Sequence, residues 1–192
     1  MLENGIHRIV TNYCPLSPES LADFRQYVEV LNCQKGEQLV KEGQHSDKLL
    51  FIVKGCVKAY YVKDGKTITD WFAFENDFIC AITSFFLFVP SPHYIELIED
   101  STLLVITRDD MMTLCNKHHD FERLGRISTT KTMLQLQQRV VSLQFESAQQ
   151  RYLNLIAVHP SIELRVPLGD IASFLGITQE TLSRIRAAKV RI

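Results

Sequence analysis

The sequence predicts an α+β chain with short antiparallel strands first, one long helix next and a small helical unit last. Three observations carry that prediction. Between residues 36 and 106 the chain breaks into short runs of β-branched and aromatic residues separated by turn residues, the pattern of an antiparallel sandwich or barrel. Residues 120–145 then hold a helical period with no proline. Residues 168–185 finally place small, apolar and polar side chains as two helices joined by a tight turn require.

Taken in order, Pro15-Leu16-Ser17-Pro18-Glu19 opens an amphipathic helix over 15–31, with Leu21, Phe24, Val28 and Leu31 at spacings of three and four. Strands are expected at Gln38–Val40, Leu49–Lys54, Val57–Val62, Lys66–Phe74, Tyr94–Ile98 and Thr102–Ile106. Asp64-Gly65 between two of them is the sharpest hairpin signal, because a tight turn needs positive φ. A short helix is expected near 108–117, the long one over 120–145, and another near 147–158 that ends at His159-Pro160. Ile162–Val166 reads as a short strand. The expected division is 1–117 for a β domain with flanking helices, 118–145 for the long helix, and 146–192 for the C-terminal unit.

Composition narrows the function classes. The 192 residues are 46% hydrophobic and 22% charged, an ordinary folded composition. The longest nearly apolar run, Phe78 to Val89, is too short for the roughly 20 residues that span a bilayer, and no membrane partner is expected. The first residues lack the basic and apolar regions of a secretory signal, so a cytoplasmic location is expected. Five cysteines, Cys14, Cys33, Cys56, Cys80 and Cys115, lie at least 19 residues apart and form neither a disulfide framework nor a metal knuckle. Charge is polarised. Residues 1–122 carry 11 Lys+Arg against 18 Asp+Glu, and residues 123–192 carry 10 against 4. A net −7 body joined to a net +6 end points the C-terminal third toward a polyanion.

The long helix is apolar on two faces. Ile127, Leu134, Val141 and Phe145, with Leu124 nearby, lie on one, and Met133, Leu136, Val140 and Leu143 on a roughly opposite one. One neighbour cannot cover both, and the first set follows a heptad with Lys131 and Gln138 at seam positions. Leu124, Ile127, Leu134, Val141 and Phe145 are therefore the expected homodimer interface.

The most specific stretch is Leu168–Ile185. Ile171 and Leu175 face inward on a first helix, Ala172 is small where a second helix crosses, and Gly176 can end the first helix at positive φ. Ile177 plugs the turn, Thr178 caps the second helix, and Leu182 and Ile185 bury it. Gln179, Glu180, Ser183 and Arg184 remain outside. Polar residues on the N-terminal half of such a helix read a major groove, with Arg donating to guanine and Glu accepting from cytosine. Thr178, Arg186, Lys189 and Arg191 are the candidates for phosphate contacts. No catalytic residue and no metal ligand set is expected.

Leu175–Arg186 resembles the helix-turn-helix of the Crp/Fnr family of bacterial transcription regulators, and Gly43 with Leu50–Tyr60 resembles that family's β-roll, which is related to cyclic-nucleotide-binding domains. The resemblance implies a jelly-roll-like antiparallel β-roll, a dimerisation helix and a DNA-binding unit. Its implied partners are double-stranded DNA with an inverted-repeat site, a second copy of the chain, and RNA polymerase. Nucleotide-binding members carry a Gly-Glu pair and a later Arg-Ser pair, where this chain has Cys80-Ala81 and Ser91-Pro92-His93-Tyr94. Cyclic AMP is therefore not expected to bind, because its phosphate would lack a bidentate arginine. No cofactor is expected, the effector is unidentified, and Cys80 to Tyr94 is the candidate effector region. The scattered cysteines do not reproduce an iron–sulfur cluster, and His45 and His93 are the candidates for a single axial haem ligand. A cupin-like metalloenzyme is the competing reading, but the six histidines never give a His-x-His pair on a strand. A ligand-sensing adaptor that binds no DNA is the other.

Overall fold

The computed structural model describes residues 1–189, with side chains as far as Ala188. Two four-stranded antiparallel sheets face each other. The strands are β1 (Glu29–Cys33), β2 (Gln38–Val40), β3 (Lys48–Lys54), β4 (Val57–Lys63), β5 (Lys66–Ala73), β6 (Phe78–Cys80), β7 (Tyr94–Leu97) and β8 (Ser101–Thr107), ordered β1-β8-β3-β6 and β2-β7-β4-β5. The strands β3 and β8 read as continuous apolar runs because their sheet is covered on both faces. Leu50, Ile52, Leu103 and Val105 point between the sheets and meet Val57, Ala59, Ile95 and Leu97. Their neighbours Phe51, Val53, Leu104 and Ile106 point the other way and lie under helices. Those helices are α1 (Leu2–Asn12), α2 (Pro18–Tyr27), α4 (Arg108–Lys117) and the start of α5 (His119–Phe145), while a short α3 (Ile82–Leu87) interrupts the roll. The β4–β5 hairpin turns at Asp64-Gly65 with φ of 52° and 73°, and Lys63 pairs with Lys66 across it.

Two expectations fail locally. The helix expected over 15–31 ends at Tyr27, and Glu29–Cys33 instead pairs with β8 from Glu29↔Val105 to Cys33↔Ser101. Val28 and Leu31 continue the helical spacing by coincidence, and the ladder offered by β8 overrides it. The strand expected at Ile162–Val166 is a single helical turn, α7 (Ile162–Arg165). Ile162 and Val166 are buried four residues apart, whereas Leu164 between them is 90% exposed, so the period is four rather than two.

The helix α5 departs from the expected seam. Leu124 is 2% exposed and belongs to the core beneath the roll, with Ile127 packed against it. Leu124 is closed to a partner, because α5 begins by closing its own protomer's core together with Phe121, while Ile127 is only partly buried. Farther along, the half-covered positions are Ser128, Thr132, Gln135, Arg139, Ser142 and Glu146, a polar stripe at spacings of three and four. Met133, Leu134, Leu136, Val140, Val141, Leu143 and Phe145 all lie exposed. The second half of α5 thus turns polar residues inward and apolar ones outward.

The remaining helices are α6 (Ala148–Val158), α8 (Leu168–Phe174) and α9 (Gln179–Lys189). Ser147 opens α6 with a capping box completed by Gln150. The expected boundary near 145 coincides with the end of α5, yet the C-terminal helices share one core with the roll. Tyr152, Ile162, Ile171, Leu175 and Leu182 pack in a cluster with Cys56, Phe72, Phe74 and Ile98. Phe72 and Phe174 meet at 5.1 Å between ring centroids.

Polar contacts fix the same junction. Ser173 accepts from the Thr69 amide at 2.9 Å and donates to the Thr67 carbonyl at 3.1 Å, so it caps the open edge of β5. Lys58 pairs with Asp170 at 3.0 Å and Glu96 at 3.5 Å. Arg165 donates to both Glu75 oxygens at 2.9 and 2.8 Å and to Glu99 at 3.0 Å, and Glu75 also accepts from the Gly55 amide at 2.9 Å. Burial by itself pushes the Glu75 carboxyl up, but the guanidinium and the amide outweigh it and hold the group below 4.5. A carboxyl depressed in the folded chain adds stability above its unfolded value and loses that contribution as pH falls through the folded one. Thermal unfolding followed from about pH 6 down to about pH 3 should show the loss beginning near pH 4.5. Glu75→Gln should be less stable by about 1–3 kcal/mol at the upper end and decline less steeply in that window.

Candidate nucleic-acid interface

Pro167 precedes α8, which needs no donor at its first position. Leu175 closes it through a bond from its amide to the Ile171 carbonyl, and Gly176 then adopts φ of 68°. The Ile177 amide returns to the Ala172 carbonyl at 3.0 Å, which holds the turn. Thr178 accepts from the Thr181 amide at 3.2 Å and starts α9. Ile171, Ala172, Leu175 and Leu182 are buried, with Ile177 and Ile185 packed against them. Each inward position expected from the sequence is inward.

The opposite face of α9 is open. Gln179, Glu180, Ser183 and Arg184 are all exposed. Glu180 sits in the first turn, where its own backbone amide and the Thr178 hydroxyl, followed by Arg184, hold its carboxyl below the usual range. A carboxylate kept charged there can accept but not donate a hydrogen bond, while Arg184 can only donate. The four side chains therefore present a mixed pattern of donors and acceptors, as recognition of base edges requires.

The expected phosphate contacts divide. The Thr178 hydroxyl is occupied in capping α9 and lies 3.1 Å from that of Thr181. Arg186 turns to Glu163 in α7, with 2.6 Å between Nε and Oε1. It stands four residues after buried Leu182, on the flank of the inward face, so this contact is within its reach. The Lys189 side chain and Arg191 lie outside the described residues.

Part of the C-terminal positive charge is spent inside the molecule. Besides Arg165 and Arg186, Lys131 pairs with Asp77 at 3.7 Å. Arg151 donates to the Leu175 carbonyl at 3.0 Å and the Glu146 carbonyl at 2.7 Å. In doing so it satisfies the ends of both α8 and α5, which expose unpaired carbonyls. These positioning residues were missed because a lone arginine in sequence gives no sign of facing a helix end. The S-x-x-Q pattern of Ser147 and Gln150 was legible.

In the candidate effector region, Cys80 is partly buried and Ala81 is fully buried. Ser91 donates to the His93 carbonyl at 2.8 Å, and the Gly43 amide donates to the Ser91 carbonyl at 2.8 Å. Ser91 is thereby bound within its own loop. No Lys or Arg occurs from Phe78 to Tyr94. His93 is buried against Tyr61 with 5.4 Å between ring centroids, and its Nδ1 has no hydrogen-bond partner among the described residues. His45 is exposed. Among the described residues there is no cluster of three or more metal-binding side chains and no helix long and apolar enough to cross a membrane.

Residues 30–118 match the family described as Cyclic nucleotide-binding domain. No curated protein matches the chain in sequence. Similar solved structures include FixK2 from Bradyrhizobium japonicum, 19% identical over 84% of this chain and 83% of that one, with a TM-score of 0.72. The global regulator CLP from Xanthomonas campestris, described as c-di-GMP responsive, is 13% identical over 91% and 92%, with a TM-score of 0.69. A CooA variant from Carboxydothermus hydrogenoformans is 19% identical over 95% and 83%, with a TM-score of 0.66. The chain therefore shares the fold of these solved structures.

Proposed function

We propose that this chain is a dimeric, sequence-specific DNA-binding transcription regulator of the Crp/Fnr type. Residues 1–117 form its sensor unit, 118–145 its dimerisation helix and 146–192 its DNA-binding unit. The observation that carries the reading is α9, buried along one face in the core its unit shares with the roll and exposing Gln179, Glu180, Ser183 and Arg184 along the other. In this reading α9 lies in the major groove, α8 crosses the backbone, and RNA polymerase is a further partner.

Dimerisation rests on the inverted amphipathicity of α5. An apolar face left to water on a helix whose polar stripe faces its own protomer is stabilised by burial against a second copy. Met133, Leu136, Val140 and Leu143 follow the four-three spacing of a coiled-coil seam. Leu134, Val141 and Phe145, from the set expected in the sequence, are exposed beside them, so both sets are available to the second copy. Sedimentation of the unmutated chain at micromolar concentration should give a twofold dimer, and Val140→Glu should give monomer or aggregate. A monomeric unmutated chain would remove the seam.

A twofold dimer presents the α9 face twice, so its site is an inverted repeat with half-sites roughly 34 Å apart. Selection from a random DNA library should enrich such a repeat. Arg184→Ala should weaken binding by about 1–3 kcal/mol and relax one base position per half-site. Recovery of an unchanged repeat by Arg184→Ala would take Arg184 out of base reading.

The sensor unit does not take cyclic AMP in this reading. The Ser91 hydroxyl is committed to its own loop, the segment from Phe78 to Tyr94 supplies no Lys or Arg, and Arg108, which stacks on Phe88, is paired with Asp109, so a buried cyclic phosphate would lack a free bidentate partner. Calorimetry should detect no binding of cyclic AMP at micromolar concentration, and a micromolar dissociation constant would overturn this assignment.

A further inference from the structure

The corner between α6 and α7 rests on one ring of the roll. Phe74 stands just beyond β5 and is buried. The imidazole of His159, which closes α6, stacks on it with 4.4 Å between ring centroids and 28° between planes. The guanidinium of Arg165, at the end of α7, lies 5.3 Å from the same centroid. Between the two, the Ile162 amide donates to the His159 carbonyl at 3.0 Å and starts α7. The seat of the imidazole therefore helps to place Arg165 against Glu75 and Glu99.

This seat suits a neutral ring and not a charged one. Among the described residues no carboxylate lies within 4.0 Å of the His159 nitrogens. Glu75 and Glu99 are taken up by Arg165. Asp77, in the turn between β5 and β6, accepts from the Phe74 amide at 3.1 Å and pairs with Lys131 of α5 at 3.7 Å. Glu146, which lines the same groove as His159, accepts from Ser142 and from Asn154. The other charged residues along that groove, Arg139 of α5 and Arg151 of α6, are cations. Burial holds the imidazole below its usual range, while Asp77 opposes this through space and Arg165 adds to it. An imidazolium would gain the aromatic face, but it would share that face with a guanidinium and meet no free carboxylate.

We propose that His159 is an acid-sensitive latch between the roll and the helix-turn-helix unit, in which the neutral ring docks the α6–α7 corner on Phe74 and protonation releases it. Release opens the core that Cys56, Phe72 and Phe74 share with Tyr152, Ile162 and Leu182. A histidine depressed in the docked chain takes its proton more readily once released, so docking is strongest above 6.5, weakens as pH falls below that value and levels off beneath the lowered one. A single proton limits the rise in the released fraction to about tenfold between about pH 7.5 and about pH 5.5. This window lies above the one in which Glu75 loses its contribution, which begins near 4.5. The latch rests on the regulator reading only for its consequence, which is weaker DNA binding in acid.

Cys56 is fully buried within the shared core, so its labelling reports release. The full chain is treated with the neutral disulfide 4,4′-dithiodipyridine at about pH 7.5 and about pH 5.5, and the label at Cys56 is quantified by mass spectrometry. Each rate is divided by that of the denatured chain at the same pH, which removes the acid dependence of the thiol itself. The corrected rate should rise at least threefold toward the lower pH in the unmutated chain. His159→Phe, which keeps a flat ring without the charge, should abolish the rise, and His159→Gln serves where the phenylalanine variant does not fold. In the unmutated chain the His159 ring resonance, identified by its loss in the variant, should titrate with a midpoint below 6.5. A flat corrected rate in the unmutated chain, a rise of equal size in the variant, or a His159 ring that titrates at or above 6.5 would overturn the latch. None of these readouts uses DNA, so failure here is separate from failure of the regulator reading.

Discussion

The C-terminal helices do not close a core of their own, and much of the molecule follows from that constraint. Tyr152, Ile162, Ile171 and Leu182 share one core with Cys56, Phe72, Phe74 and Ile98 of the roll. Apolar burial of this kind is non-directional and leaves the units free to slide. Direction comes from the polar contacts at its rim, where Arg165 grips Glu75 and Glu99 and Ser173 caps the β5 edge. The forked geometry of the guanidinium admits few orientations, and an edge strand capped by a side chain is also closed to pairing with other chains. The angle at which α9 faces outward is therefore inherited from β5 and from the turn after it.

The helix α5 answers to a different requirement at each end. At its start, Phe121 and Leu124 are fully enclosed and complete the core beneath β3 and β8. Beyond Ser128 its polar stripe faces the protomer, and its apolar residues face out. A helix in water that is built this way is incomplete, since burial of an apolar face against a partner supplies most of the stability of an amphipathic helix.

Charge shows why composition and function have to be kept apart. The C-terminal third carries an excess of cations in sequence, yet Lys131, Arg165 and Arg186 are paired within the chain and Arg151 serves helix ends. The field available to a polyanion is narrower than the count implies. It is the arrangement of Glu180 and Arg184 on an open face, rather than the net charge, that supports base reading.

The local elements were legible in the sequence wherever one residue's chemistry decides them. Asp64-Gly65 determined its hairpin because few residues accept positive φ, and Gly176 with Thr178 determined the break and restart of the helix-turn-helix for the same kind of reason. The outward set Gln179, Glu180, Ser183 and Arg184 followed from the periodicity of Leu182 and Ile185. Tertiary structure decided what depends on neighbours distant in sequence. Val28–Leu31 could extend a helix or join a sheet, and only the free edge of β8 resolved it. Leu124 could serve a seam or a core until the fold enclosed it beside Phe121. A side chain's local period says which way it points, and only the assembled fold determines what it meets there.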